Sequence, residues 1–133
     1  MWKLIAGTFA LLAVILALTK LQSAHPGLDP RDQLAFEKQV ELQRPQARGA
    51  HTLPELDCAA THASRATIRT FYLVHVNNRP DLSNADDRDA ASADLAQAIV
   101  TCGAKPQTVE DQAHQNGVDL EVAAATSMLK AGR

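Results

Sequence analysis

The sequence predicts an all-α protein, with an amino-terminal membrane or signal helix followed by a small bundle of four or five helices. Three observations lead to this fold class. The stretch between Lys3 and Lys20 carries no charge and is almost entirely aliphatic. Alanine is abundant and aromatic residues make up only 4% of the chain, which favours closely packed helices over a sheet. Further along, apolar residues recur at spacings of three and four, as on one face of a helix.

Residues 1–24 are predicted to be a signal anchor or a signal peptide. Lys3 supplies the basic start of such a segment, and the apolar run lies at the long end of the roughly 7–15 residues typical of a cleaved signal. A cleavage site after Ala24 is poor because Gln22 stands where a small residue is wanted. With its flanking residues, the run approaches the roughly 17–20 residues that span a bilayer. We therefore expect an uncleaved anchor, with cleavage as the alternative.

The expected location is the inner membrane, in a single pass, with the carboxyl-terminal domain in the periplasm. Lys3 and the terminal amine precede the segment, whereas Lys20, Arg31 and Lys38 follow it. Taken alone, this count slightly favours a cytoplasmic carboxyl-terminal part under the positive-inside rule. The very short amino-terminal tail favours export of the carboxyl-terminal domain. A secreted or periplasmic protein, released by cleavage, is the alternative location.

Residues 25–51 are predicted to be a linker that contains one short helix. Asp29 can cap this helix while Pro30 takes its first position. The helix is expected to run to about Arg44 and to be stopped by Pro45.

Residues 52–133 are predicted to form the small helical domain. Its first helix follows Pro54, and its apolar stripe is expected to run without a break to Val74. The stripe consists of Leu56, Ala60, Ala63, Thr67, Phe71 and Val74. The β-branched and aromatic content of residues 67–76 also suits a strand, but the continuous stripe favours a helix.

Three more helices are predicted in the rest of the chain. The first follows Asn84, begins with acidic residues that the helix dipole favours, and ends at Gly103. The second opens at Thr108 with a weak capping box and ends near Gly117. The last helix is expected to be capped by Asp119.

Cys58 and Cys102 are the only cysteines in the sequence. In an oxidising compartment, two cysteines in a small domain suggest a disulfide, and a loop of this length would stabilise the fold by about 4 kcal/mol. The helical wheel complicates the pairing. Cys102 lies on the apolar face of its helix, whereas Cys58 lies nearly opposite the Leu56 stripe. The bond therefore requires the rim of a helix pair, or a further helix on that second face.

An alternative function for Cys58 is that of a reactive thiol. His62 lies one turn further along the predicted helix with arginines beyond it, and such a setting lowers a thiol pKa. The sequence offers no Cys-x-x-Cys motif and no group to orient the histidine. Cys58 and His62 could also reach one metal ion, but a structural zinc site needs four ligands. We therefore expect no metal and no cofactor.

Residues 108–130 look like a helix-turn-helix. Only Gly117 in the turn and flanking apolar residues such as Val118 match that pattern. A helix that reads DNA presents polar and basic residues to bases and phosphates. This last helix begins with Asp119 and Glu121, whose carboxylates would repel phosphate. A plain helical hairpin is favoured, and no nucleic acid is expected as a partner.

The function favoured by the sequence is protein–protein interaction, as an accessory or adaptor subunit of an envelope complex, and not catalysis. The last helix carries an apolar surface that either closes its own bundle or docks on a partner. That surface consists of Leu120, Val122, Ala124, Met128 and Leu129. Two alternatives are a thiol-dependent enzyme or redox protein that uses Cys58 with His62, and a membrane-tethered helix-turn-helix regulator.

Overall fold

The computed structural model describes residues 28–133, and the predicted signal or anchor segment, residues 1–24, lies outside them. The chain divides into two units, with the boundary between Asp32 and Gln33. Within the described residues every regular element is helical, which confirms the all-α class. None of the helices in this part of the chain is both long and apolar enough to cross a bilayer.

Six α-helices lie in the described part of the chain. In order, they are Pro30–Arg48 (α1), Pro54–His62 (α2), Arg65–Phe71 (α3), Ala85–Thr101 (α4), Pro106–Gln115 (α5) and Leu120–Ala131 (α6). Helix α3 continues directly into a π-helical turn, Tyr72–Val76, and a 3-10 turn, Pro80–Leu82, precedes α4.

Helix α1 starts where the sequence predicts but ends later. Its first residue is Pro30, and the preceding Asp29 side chain accepts a backbone N–H at 3.4 Å. The predicted end at Pro45 is wrong, since the helix continues to Arg48. Proline lacks the N–H for one helical hydrogen bond, but Ala47 is buried in the core and holds the last turn in place.

The long helix predicted after Pro54 is broken into α2 and α3. Ala63 is extended, and the Ser64 side chain then caps α3 by accepting the backbone N–H of Thr67 at 3.2 Å. The Ser64 backbone N–H donates in turn to Asp94 Oδ2 on α4 at 2.9 Å.

From Leu56 to Phe71 the predicted stripe remains buried, because both helices face the same core. Its last residue, Val74, is only half-buried, and Tyr72 and Val76 of the π-helical turn face the core instead. Residues 67–76 are helical, so the strand alternative is wrong.

Both predicted ends of helix α4 are confirmed: it follows Asn84 and is followed closely by Gly103. The Asn84 side chain accepts the backbone N–H of Asp87 at 2.7 Å, which caps the first turn. Past the other end, Gly103 takes a φ of 79°, a conformation that glycine adopts without steric cost.

Helices α5 and α6 form the predicted hairpin, with one shifted boundary. Helix α5 begins at Pro106 and not at Thr108, because proline is already suited to the first helical position. Gly117 makes the turn with a φ of 78°. Asp119 precedes α6 as predicted, although its side chain makes no capping hydrogen bond.

The core lies where α2 packs against both α4 and α6. Its largest fully buried apolar side chains are Leu56, Ile99, Met128 and Val109. Alanines fill much of the remaining interior, at Ala59, Ala60, Ala98 and Ala124 among others. Small side chains let the helices approach closely, but each buries little apolar area, so the core alone stabilises the fold only modestly.

Candidate functional site

Cys58 and Cys102 form a disulfide that joins α2 to the end of α4, with their Cα atoms 6.0 Å apart. The predicted bond is therefore confirmed. Both cysteines are half-buried, which is the rim position that the helical wheel required. The bond links two helices that already pack against each other, and it leaves no free cysteine in the chain.

His62 lies beside this disulfide. One ligand atom from each of Cys58, His62 and Cys102 lies within 4.8 Å of the other two. The sequence indicates the pairing of Cys58 with His62 through their spacing on one helix, but it does not indicate that Cys102 joins them. In the disulfide-bonded state Cys58 has no free thiol, so the reactive-thiol alternative would first require reduction.

The predicted partner-binding residues of α6 are mostly directed into the protein. Ala124, Met128 and Leu129 are buried in the core, and Leu120 is half-buried against it. Of the five, only Val122 is exposed, at 38%. Their apolar surface therefore packs mainly within this chain's own bundle.

The α5–α6 hairpin carries negative charge at the start of its second helix. Val118, matched to the apolar anchor of a helix-turn-helix, is exposed at 39%. Burial lowers the pKa of His75 below its ordinary value, while the nearby carboxylates of Glu121 and Asp119 oppose that shift. These carboxylates are unfavourable to a phosphate backbone.

A cleft of about 500 Å³ opens between α1, α3 and the residues after α6. We call it the arginine cleft. It is lined by Gln33, Phe36, Arg65, Ile68, Arg69, Tyr72, Gly132 and Arg133. Its floor is apolar, because Ile68 and Tyr72 are buried and the ring centroids of Phe36 and Tyr72 lie 6.4 Å apart.

One end of the arginine cleft is closed by Arg133. The Tyr72 hydroxyl donates to the main-chain carbonyl oxygen of Arg133, and burial raises the pKa of Tyr72, so the phenol remains a donor. The Arg133 Nη1 lies 2.8–3.0 Å from the carbonyl oxygens of Ala60, Thr61 and Ala63. These oxygens end α2, where the helix dipole favours a cation. Arg133 therefore builds the wall of the cleft.

Arg65 and Arg69 are different, because neither side chain makes a hydrogen bond or an ion pair within residues 28–133. Both are exposed. They lie four residues apart on one helix, where like charges cost about 0.2–0.5 kcal/mol. Arg65 is also the first residue of α3, where the helix dipole disfavours a cation. No contact within residues 28–133 therefore accounts for the two guanidinium groups.

Some residues of the arginine cleft can be grouped from the sequence alone. Arg65, Arg69 and Tyr72 lie on the same helical stripe as Cys58, which is visible on a helical wheel. Phe36 is missed because the sequence pattern assigns its helix to a linker.

Comparison of the chain with protein-family models, with curated proteins and with solved structures gave no match.

Proposed function

We propose that this chain is a membrane-anchored or exported helical protein that binds another protein as an accessory subunit of an envelope complex, and that the arginine cleft is its contact site. The observation that carries the proposal is the pair Arg65 and Arg69, two charges without a partner in the described structure, above an apolar floor. The matching partner surface is an acidic segment that also carries an apolar side chain.

The chemistry of the cleft suits such a segment. A guanidinium group binds a carboxylate through two parallel hydrogen bonds, which fixes both position and orientation. Ile68 and the rings of Phe36 and Tyr72 supply apolar area beneath the charges. Tyrosine and arginine are also among the residues that most often dominate binding energy at protein interfaces. The volume of about 500 Å³ accommodates a few side chains, within the range of about 300–1,000 Å³ seen for binding pockets.

The disulfide supports a location outside the cytoplasm. Structural disulfides persist in oxidising compartments such as the periplasm and are rare in the cytosol. Cys58 and Cys102 are joined across two packed helices, as expected for a structural bond. The apolar segment predicted at residues 1–24 supplies the route of export.

The contact site can be tested by site-specific photo-cross-linking in cells that produce the full chain. A photo-activatable amino acid replaces Gln33, which lines the arginine cleft without contributing charge. The matched control replaces Gln97, an exposed glutamine of α4 outside the cleft. We expect a distinct protein adduct from position 33, absent from position 97 and lost when Arg65→Glu and Arg69→Glu are added. The same adducts from both positions, or none from position 33, would overturn the proposal.

A further inference from the structure

We propose that reduction of the Cys58–Cys102 disulfide creates a metal site in which the two thiolates and the His62 imidazole bind one Zn²⁺ ion. The basis is the juxtaposition of these three side chains, whose ligand atoms all lie within 4.8 Å of one another. The site lies at the α2–α4 rim and does not depend on the arginine cleft or on the protein-binding function.

The backbone already holds the ligands in place. Cys58 and His62 are four residues apart on α2, so their side chains lie on the same side of the helix. Cys102 directly follows α4, with its N–H bonded to the carbonyl oxygens of the preceding turn. The buried residues Leu56 of α2 and Ile99 of α4 belong to the same core. Loss of the covalent bond therefore leaves the two sulfur atoms as neighbours.

The zinc site forms in two steps, reduction of the disulfide and then binding of the metal ion. In the first, a dithiol reductant transfers two electrons and two protons to the disulfide, giving two thiols on Cys58 and Cys102 while the reductant becomes a disulfide. In the second, Zn²⁺ displaces the two thiol protons to solvent, and the neutral imidazole of His62 donates its lone pair. The products are two zinc–sulfur bonds of about 2.3 Å and one zinc–nitrogen bond of about 2.0–2.1 Å.

Only small side-chain movements are needed. Two sulfur ligands of a tetrahedral zinc lie roughly 3.8 Å apart, given zinc–sulfur bonds of about 2.3 Å. The His62 ring nitrogen lies at most 4.8 Å from each sulfur atom, which is close to the spacing between two ligands of one zinc ion. The two sulfur atoms are closer together than this in the disulfide and must move apart once their bond is broken. His62 is exposed, so its ring is free to turn toward the metal. A water molecule would complete the coordination, as in zinc sites with three protein ligands.

The disulfide and the metal exclude each other, which makes the site responsive to redox conditions. Thiolate, not disulfide sulfur, is the ligand that zinc selects. Oxidation therefore removes two of the three ligands. Conversely, zinc binds only the reduced form and so stabilises it by mass action.

The test uses the purified full chain in detergent and Co²⁺ as a spectroscopic probe of the zinc site. After reduction with a phosphine and its removal, we expect thiolate-to-cobalt charge-transfer absorption and visible bands of tetrahedral cobalt. Both saturate at one equivalent and disappear when Zn²⁺ is added. The disulfide-bonded protein should show neither band. His62→Ala removes one of the three ligands and should weaken binding by about tenfold or more, since even the loss of an outer-shell partner of a ligand costs about 10–100-fold. The control His51→Ala, at an exposed histidine outside the cluster, should not weaken binding.

Three outcomes would overturn the proposal. The reduced protein could bind no cobalt, the oxidised protein could bind it equally well, or His62→Ala could bind as tightly as the wild type. Circular dichroism of the reduced chain, recorded in parallel, reports whether it remains helical. An unfolded chain that binds cobalt through its two thiols alone would be insensitive to His62→Ala, and this result also counts against the site.

Discussion

Removal of the disulfide by the paired changes Cys58→Ala and Cys102→Ala should destabilise the fold severely. The two cysteines are 44 residues apart in sequence, and the chain-entropy model gives about 4 kcal/mol for closing a loop of this length. Small domains are stable by only about 5–15 kcal/mol in total, and this core is rich in alanine. For a domain of this size the loss corresponds to a fall in Tm of roughly 15–30 °C.

Urea unfolding followed by circular dichroism measures this effect. The oxidised wild type is compared with the paired variant and with the reduced, metal-free wild type, which serves as the matched control without a substitution. Both should unfold at a lower urea concentration and with a larger m value, because the denatured chain is no longer held in a loop. A loss below about 1 kcal/mol, with an unchanged m value, would refute the reasoning that the bond constrains the unfolded chain.

Three further changes probe packing, a single hydrogen bond and a pH dependence. Met128→Ala, at a fully buried position, should cost about 2–5 kcal/mol in urea unfolding, and a cost below about 1 kcal/mol would contradict its core position. Tyr72→Phe removes the hydrogen bond to the Arg133 carbonyl oxygen and should cost about 1 kcal/mol; an equally stable variant would show that the bond contributes nothing. The backbone N–H of Ser64 lowers the pKa of Asp94, so the stability contributed by this carboxylate is present above its unfolded-state pKa and is lost as pH falls through the folded-state pKa. Asp94→Asn should therefore unfold at lower urea than the wild type at pH 7, and the gap should close only as the pH falls below the ordinary carboxyl value of 3.8. A gap independent of pH would contradict this assignment.

The helix ends that the sequence predicts correctly are those fixed by local chemistry. Asn84 caps α4 through its own side chain, and Gly103 and Gly117 adopt positive φ angles that most other residues avoid. The break between α2 and α3 is not predicted, because the apolar stripe continues on both sides of Ser64, although serine is favoured at a helix cap over a helix interior. The carboxylate that holds the break open, Asp94, lies 30 residues away in sequence.

The arginine cleft is likewise only partly predictable from the sequence, because some of its residues are neighbours along one helix and others come from a distant helix. The helical wheel places Arg65 and Arg69 on one stripe, but the cleft exists only because Phe36 of α1 packs beside Tyr72. The spacing of apolar residues within one helix does not predict which other helix packs against it.

The sequence does not settle the disulfide for a similar reason. The wheel places Cys58 away from the main apolar stripe, and the packing of α2 against α4 at the rim decides the pairing. The same packing brings Cys102 to His62, a proximity that the spacing of Cys58 and His62 along the chain does not indicate.

The most direct test of the arginine cleft as a protein-binding site is native mass spectrometry of the full chain purified from solubilised membranes. The wild type is compared with the paired variant Arg65→Glu and Arg69→Glu, and with Arg88→Glu, a charge reversal at an exposed arginine of α4 outside the cleft. We predict that the wild type and Arg88→Glu are recovered in the same complex with a second protein, and that the paired variant is recovered alone. A wild type recovered only as a monomer, or a paired variant that keeps its partner, would contradict the account.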